Sequence, residues 1–136
     1  MVVMEIFDVF EYAQNIYVYN QGNKCEYASG SDGYKKIMES WNEMIDGAHP
    51  MPAFGVSINN LTLKEMQSGV WVEFEFGKEH IVYGMPFERL LINVNETYCG
   101  FNIVRYTSEY GYDGRCYYLD LVNKNMSNFY ADLMDL

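Results

Sequence analysis

Basic residues are scarce in this chain. Nine Lys and Arg stand against 19 Asp and Glu, a formal net charge of −10 over 136 residues. Such a field repels a phosphate backbone, so no nucleic-acid partner is expected. Histidine is scarcer still, with His49 and His80 as the only two. CxxC, HExxH and EF-hand patterns are all missing, so no metal ligand and no cofactor is implied. The nearest approach to a metal set is His80 with Cys99 and Cys116, which are distant in sequence. A G-x-S-x-G elbow and a Gly-rich nucleotide loop are missing too. No apolar run approaches a membrane span. The start, MVVMEIFDVFEYAQN, carries Glu5, Asp8 and Glu11 without Lys or Arg, unlike a secretory signal. Both absences point to a cytoplasmic protein with no membrane partner. Cys25, Cys99 and Cys116 are odd in number and widely spaced, and in that compartment they read as free thiols. The sequons at Asn60, Asn95 and Asn125 then carry no meaning.

What is present is a normal globular composition, 49% hydrophobic, in a chain the length of one domain, residues 1–136. Val3, Ile6, Phe7, Phe10 and Ala13 recur at helical spacing, which predicts an amphipathic helix over 3–14. NIYVYN (15–20) alternates like a strand and ends at Gln21-Gly22-Asn23, with 24–28 as its hairpin partner. Ser31 or Asp32 caps a helix whose apolar stripe is Tyr34, Ile37, Met38, Trp41 and Ile45; Gly47 and Pro50 stop it. A strand is expected over 53–58. Thr62 and Glu65 form a capping box, and Leu61 and Met66 a hydrophobic staple, for a helix over 63–68. VWVEFEF (70–76) is the cleanest strand, with a turn at Gly77–Glu79 leading back into 80–83. Strands at 90–94, 101–107 and 115–121 follow, then a closing helix around Met126, Phe129, Tyr130 and Leu133. Short turns join consecutive strands, so the sheet is read as an antiparallel meander of about five to seven strands packed against amphipathic helices, an α+β fold.

The tyrosine-rich SEYGYDGRCYYLDL (108–121) reads as a hairpin tip and its return strand. Asp113-Gly114 invites a two-residue turn. Burial favours a longer loop, 108–114, which sets Phe101 against Leu121 and Ile103 against Leu119. Arg105 then faces Tyr117, and Thr107 faces Arg115. Asn102, Val104 and Tyr106 share the reverse face with Cys116, Tyr118 and Asp120.

Candidate chemistry is thin. Cys99 to Arg105 (CGFNIVR) has the C-x5-R spacing of a phosphate loop, but the segment continues as a strand where that loop must wrap an anion and open a helix. Glu73 and Glu75 share one strand face, which reads as solvated. Trp71, on the same face, is either core under a helix or the anchor of a binding patch. Arg105, Arg115, Tyr110, Tyr112 and Tyr117 are of the residue types that dominate binding hot spots. Together with Trp71 they are the candidate contact residues; no catalytic residue is assigned. The expectation is a small, acidic, non-enzymatic interaction module, inhibitor- or immunity-like by charge and size, whose partner is another protein or a second copy of itself. The alternative is a small-molecule pocket, with or without catalysis, between the sheet and helix 31–46. Tyr34, Trp41, Phe54 and Tyr117 would line it, and an Arg would fix an anionic group.

Overall fold

The structure, a computed structural model, describes residues 6–53, 55–82 and 84–136. Its described elements run α1 (Ile6–Val9, tightening into a 3-10 turn at Phe10–Tyr12), β1 (Asn15–Asn20), β2 (Asn23–Ala28), α2 (Asp32–Ile45), β3 (His49–Pro52), α3 (Asn59–Glu65), β4 (Val70–Val82), β5 (Met85–Val94), β6 (Gly100–Tyr106), β7 (Arg115–Asp120) and α4 (Ser127–Met134). The strands form one antiparallel seven-stranded sheet in the order β2-β1-β4-β5-β6-β7-β3. The fold is α+β. The first part of the predicted helix, residues 3–5, lies outside the described residues.

Alternation along each strand sorts side chains between two faces. Ile16, Val18, Val72, Phe74, Leu90, Ile92, Phe101 and Leu119 face α1, α2 and α4 in the main core. At its centre Trp41 is fully buried, with the rings of Phe10, Phe74, Phe101 and Phe129 at 4.7, 4.9, 5.5 and 5.6 Å. α2 begins where the sequence implies, since Ser31 Oγ accepts from Tyr34 N at 3.2 Å. It ends before Gly47, whose φ of +79° only glycine takes without strain.

Four expectations are corrected. The strand expected over 53–58 is replaced by β3 at His49–Pro52, which takes the edge beside β7. Gly55, at φ +69°, then breaks the extended run, and residues 55–58 form an irregular strap. Phe54 lies outside the described residues. Helix α3 starts at Asn59, so Thr62 is not its cap; it is buried inside the helix, one turn before buried Met66, and burial of that face sets the helix phase. The expected turn at Gly77–Glu79 is a bulge, and β4 continues to Val82 before the chain reverses. Finally, β6 and β7 pair Phe101 with Leu119 and Asn102 with Tyr118, then Val104 with Arg115. The face assignment of Phe101 and Leu119 stands, but a bulge sets Cys116 and Tyr117 together opposite Ile103. Both pack on the main core, so Cys116 does not share the reverse face.

Candidate functional site

The second face of the sheet is covered by much less: α3, the strap before it and the loop 107–114. Beneath them Met66, Trp71, Leu91, Val104 and Tyr112 form a small separate core, with Tyr19 and Tyr106 against it. Glu73 is set into this face and is fully buried, not solvated as expected. Tyr112 Oη donates to one of its oxygens, Tyr19 Oη donates to the other at 3.0 Å, and Arg89 Nη1 lies 3.5 Å away. The Arg89 guanidinium lies over the Tyr106 ring at 4.9 Å and near that of Tyr17 at 5.8 Å. Burial raises the Glu73 pKa above the ordinary carboxylate value, against the opposing pull of the Tyr112 hydroxyl, Arg89 and Tyr19. Burial and the Glu73 charge likewise hold the Tyr112 and Tyr19 hydroxyls in their protonated, donating forms. This acid is sealed from any substrate. Its role is to latch the tip loop onto the sheet.

Other bonds hold the same loop. Tyr112 N donates to Asn59 Oδ1 at 2.9 Å, tying it to α3. Thr107 and Gly111 exchange backbone bonds at 3.2 and 2.7 Å, which closes the tip. Ser108 donates through its backbone N and, at 2.7 Å, through Oγ to Glu88, whose carboxyl those bonds hold below its usual range.

Beside this latch, between α3 with its strap and strands β4 to β7, runs an open groove of about 530 Å³. Trp71 and Val104 lie on its sheet side. The Trp71 indole N–H is already committed to Ser68 O at 2.9 Å, so the ring offers packing surface. Val56, Ile58 and Leu61 line the groove from the strap and α3, and they are 79, 53 and 56% exposed. Asn93, Asn102, Tyr98 and Tyr118 line it from the sheet and the β5–β6 turn. Tyr118 reaches across Gly100, where a Cβ would collide with its hydroxyl; only glycine lets the ring lie there. Arg115 also lines the groove, with Nε donating to Ser57 Oγ at 2.8 Å. Glu65 is the one carboxylate of the lining, which holds no His or Cys among the described residues. The surface is therefore suited to packing and hydrogen bonding.

The structure gathers two of the six sequence-derived candidates in the groove, Trp71 and Arg115, and puts Tyr112 in the adjoining core. The others lie elsewhere. Arg105 donates to Pro86 O at 3.1 Å and lies against Gly114, and its buried Nε meets no acceptor among the described residues. Tyr110 stands 64% exposed on the loop, away from the groove lining. Tyr117 packs on the main core because of the bulge. The space between α2 and the sheet, where a pocket was the alternative expectation, is filled around Trp41, and Tyr34 closes it by donating to Ala13 O at 2.6 Å. Cys99–Arg105 is strand from Gly100 on. Missed by sequence were Val56, Ile58 and Leu61, read as strand interior and staple; Gly55 was the signal against a continuous strand.

A second hollow, about 660 Å³, lies between α2, α4 and the 122–125 turn. Its cation, Lys124, donates to Glu43 O and Asp46 O at 3.0 and 2.9 Å, which caps the C-terminal end of α2. Among the described residues no three His, Cys, Asp or Glu side chains are grouped to hold a metal, and no helix is long and apolar enough to cross a membrane. Compared with protein-family models, curated proteins and solved structures, the chain matches none.

Proposed function

We propose that this chain is a non-enzymatic interaction module, inhibitor- or immunity-like in kind, that docks a basic partner protein through the groove beside α3. The observation that carries this reading is the set of exposed aliphatic side chains, Val56, Ile58 and Leu61, lining a groove with Trp71, Tyr98, Tyr118 and Arg115. A contiguous apolar surface edged by aromatic and Arg residues is what protein contacts use. The net charge of −10 supplies attraction for a partner rich in Lys and Arg and speeds its approach.

The test compares wild-type protein with the Val56→Asp/Leu61→Asp variant as immobilised baits in native cell extract. Both positions are exposed, so the variant keeps its stability to within about 0.5 kcal/mol per site. A protein of basic composition should be retained by the wild type, lost from the variant and released as salt rises. Identical retained sets on the two baits overturn the reading. The presence of Arg115 in the groove favours one second reading, a small anionic ligand held there. Native mass spectrometry of the purified protein separates the two: a bound small mass, lost on Arg115→Ala, supports the ligand.

A further inference from the structure

The two edges of the sheet are unlike. β3, His49–Pro52, carries prolines at alternate positions, which removes the N–H groups along one side of that strand. That edge is closed to further pairing, a common protection against edge-to-edge association. β2, Asn23–Ala28, has six residues and no proline, and among the described residues nothing pairs with its outer side.

The direction of its free groups follows from the hairpin. Gln21 and Gly22 take φ of +51° and +84°, a two-residue turn of the primed type, so the flanking pair Asn20–Asn23 is a hydrogen-bonded pair. Bonding alternates from there, and Ser29 N donating to Gln14 O at 2.9 Å confirms the phase at the other end. Asn23, Cys25 and Tyr27 therefore bond inward to β1. Lys24 and Glu26 point their N–H and C=O groups outward, while the outward Ala28 C=O already accepts from Ser31 N at 3.0 Å.

We propose that a second copy of this chain pairs with the open edge, β2 against β2 and antiparallel, to join the two sheets. Two-fold symmetry and the bonding phase leave two central registers. One sets Glu26 against Glu26 of the second copy. The other sets Lys24 against Glu26 twice, with the two Cys25 residues facing each other at the axis. Charge selects the second, because opposite charges directly across a sheet stabilise and like charges do the reverse. Lys24, Cys25 and Glu26 are all exposed; the Lys24 ammonium rests 4.0 Å over the Tyr17 ring of β1 and must leave it to meet Glu26 of the second copy. In that register the Cys25 pair is a non-hydrogen-bonded one, with Cα atoms about 4.5 Å apart, within disulfide reach. The surface lies at the end of the sheet away from the groove, so this inference does not rest on the proposed function.

Sedimentation equilibrium at physiological ionic strength tests it. The wild type should show a reversible dimer at about 0.1 mM, the weak end expected of a short strand edge. Lys24→Glu should weaken the dimer about tenfold or more, and Lys24→Glu/Glu26→Lys should restore it. Circular dichroism checks that each variant keeps its fold. In a Cys99→Ser background, diamide should couple two chains, accepting the two electrons and two protons that the Cys25 thiols release as the S–S bond forms. Adding Cys25→Ala should abolish that coupling and leave the dimer. A wild type that stays monomeric up to about 1 mM overturns the proposal. So does a dimer indifferent to Lys24→Glu, or one that diamide fails to couple through Cys25.

Discussion

Replacing Tyr112 by Phe removes one hydroxyl and keeps the ring that packs beside Trp71, Leu91 and Val104. The lost bond is to Glu73, a fully buried carboxylate that keeps Tyr19 at 3.0 Å and Arg89 at 3.5 Å as its remaining partners. A hydrogen bond to a charged group is worth about 1.5–3 kcal/mol, one between neutral groups about 1 kcal/mol. Burial holds the folded-state pKa of Glu73 above its ordinary value of 4.5. The folded protein therefore keeps this proton longer than the unfolded chain does. The stability Glu73 contributes is fully present below pH 4.5 and is lost as pH rises through its folded value. Removing the Tyr112 hydroxyl raises that folded value further, so the damage grows with pH. Tyr112→Phe should cost about 1 kcal/mol at pH 4, where Glu73 is protonated, and about 2 kcal/mol once pH has passed the folded value of Glu73. Urea unfolding in steps from pH 4 upward, read by Trp fluorescence with unchanged slope, measures this. Combined with Glu73→Gln, the loss at pH 8 should fall short of the sum of the single changes. A loss that shrinks as pH rises, or one that stays under about 0.5 kcal/mol at pH 4 and above, would refute the latch.

Three further outcomes are expected. Cys25 and Cys99 are exposed, whereas Cys116 is buried with its thiol pushed up to about 12 by desolvation; a thiol reagent at pH 8 should titrate two cysteines in native protein and three in denaturant. Trp41→Ala should cost about 3–5 kcal/mol in urea unfolding, since four aromatic rings close around that side chain and cannot refill its volume. Changing Pro50 and Pro52 to Thr should leave a second open edge and raise light scattering on mild heating; scattering no greater than wild type argues against the edge protection read from those prolines.

Much of the architecture was readable because strong local signals agreed with burial. The stripe through Ile37, Trp41 and Ile45, bounded by Ser31 and Gly47, set α2 within a residue. The alternation of Val72 and Phe74 against Trp71 and Glu73 assigned both faces of β4 correctly. The errors arose where a local signal admitted two tertiary uses. Gly77-Lys78-Glu79 suits a turn or a bulge, and pairing with β5 beyond it selects the bulge. Thr62–Glu65 resembles a cap, yet Thr62 lies inside a helix that starts at Asn59 and is buried on one face with Met66. Glu73 was unreadable as a buried acid because its partners come from residues 19, 89 and 112, on three other segments. The groove was hidden for a related reason. Its exposed aliphatics stand in the pattern of a strand broken by Gly55 alone, and the place of β3 at the sheet edge leaves 55–58 without a pairing strand among the described residues.

The most direct measurement is hydrogen–deuterium exchange on the protein with and without the basic partner captured by the wild-type bait. Slowed exchange concentrated in residues 55–66 and 98–104, with α2 and α4 unchanged, is the predicted footprint. Protection confined to α2 and α4, with the groove segments exchanging as in the free protein, would contradict docking beside α3.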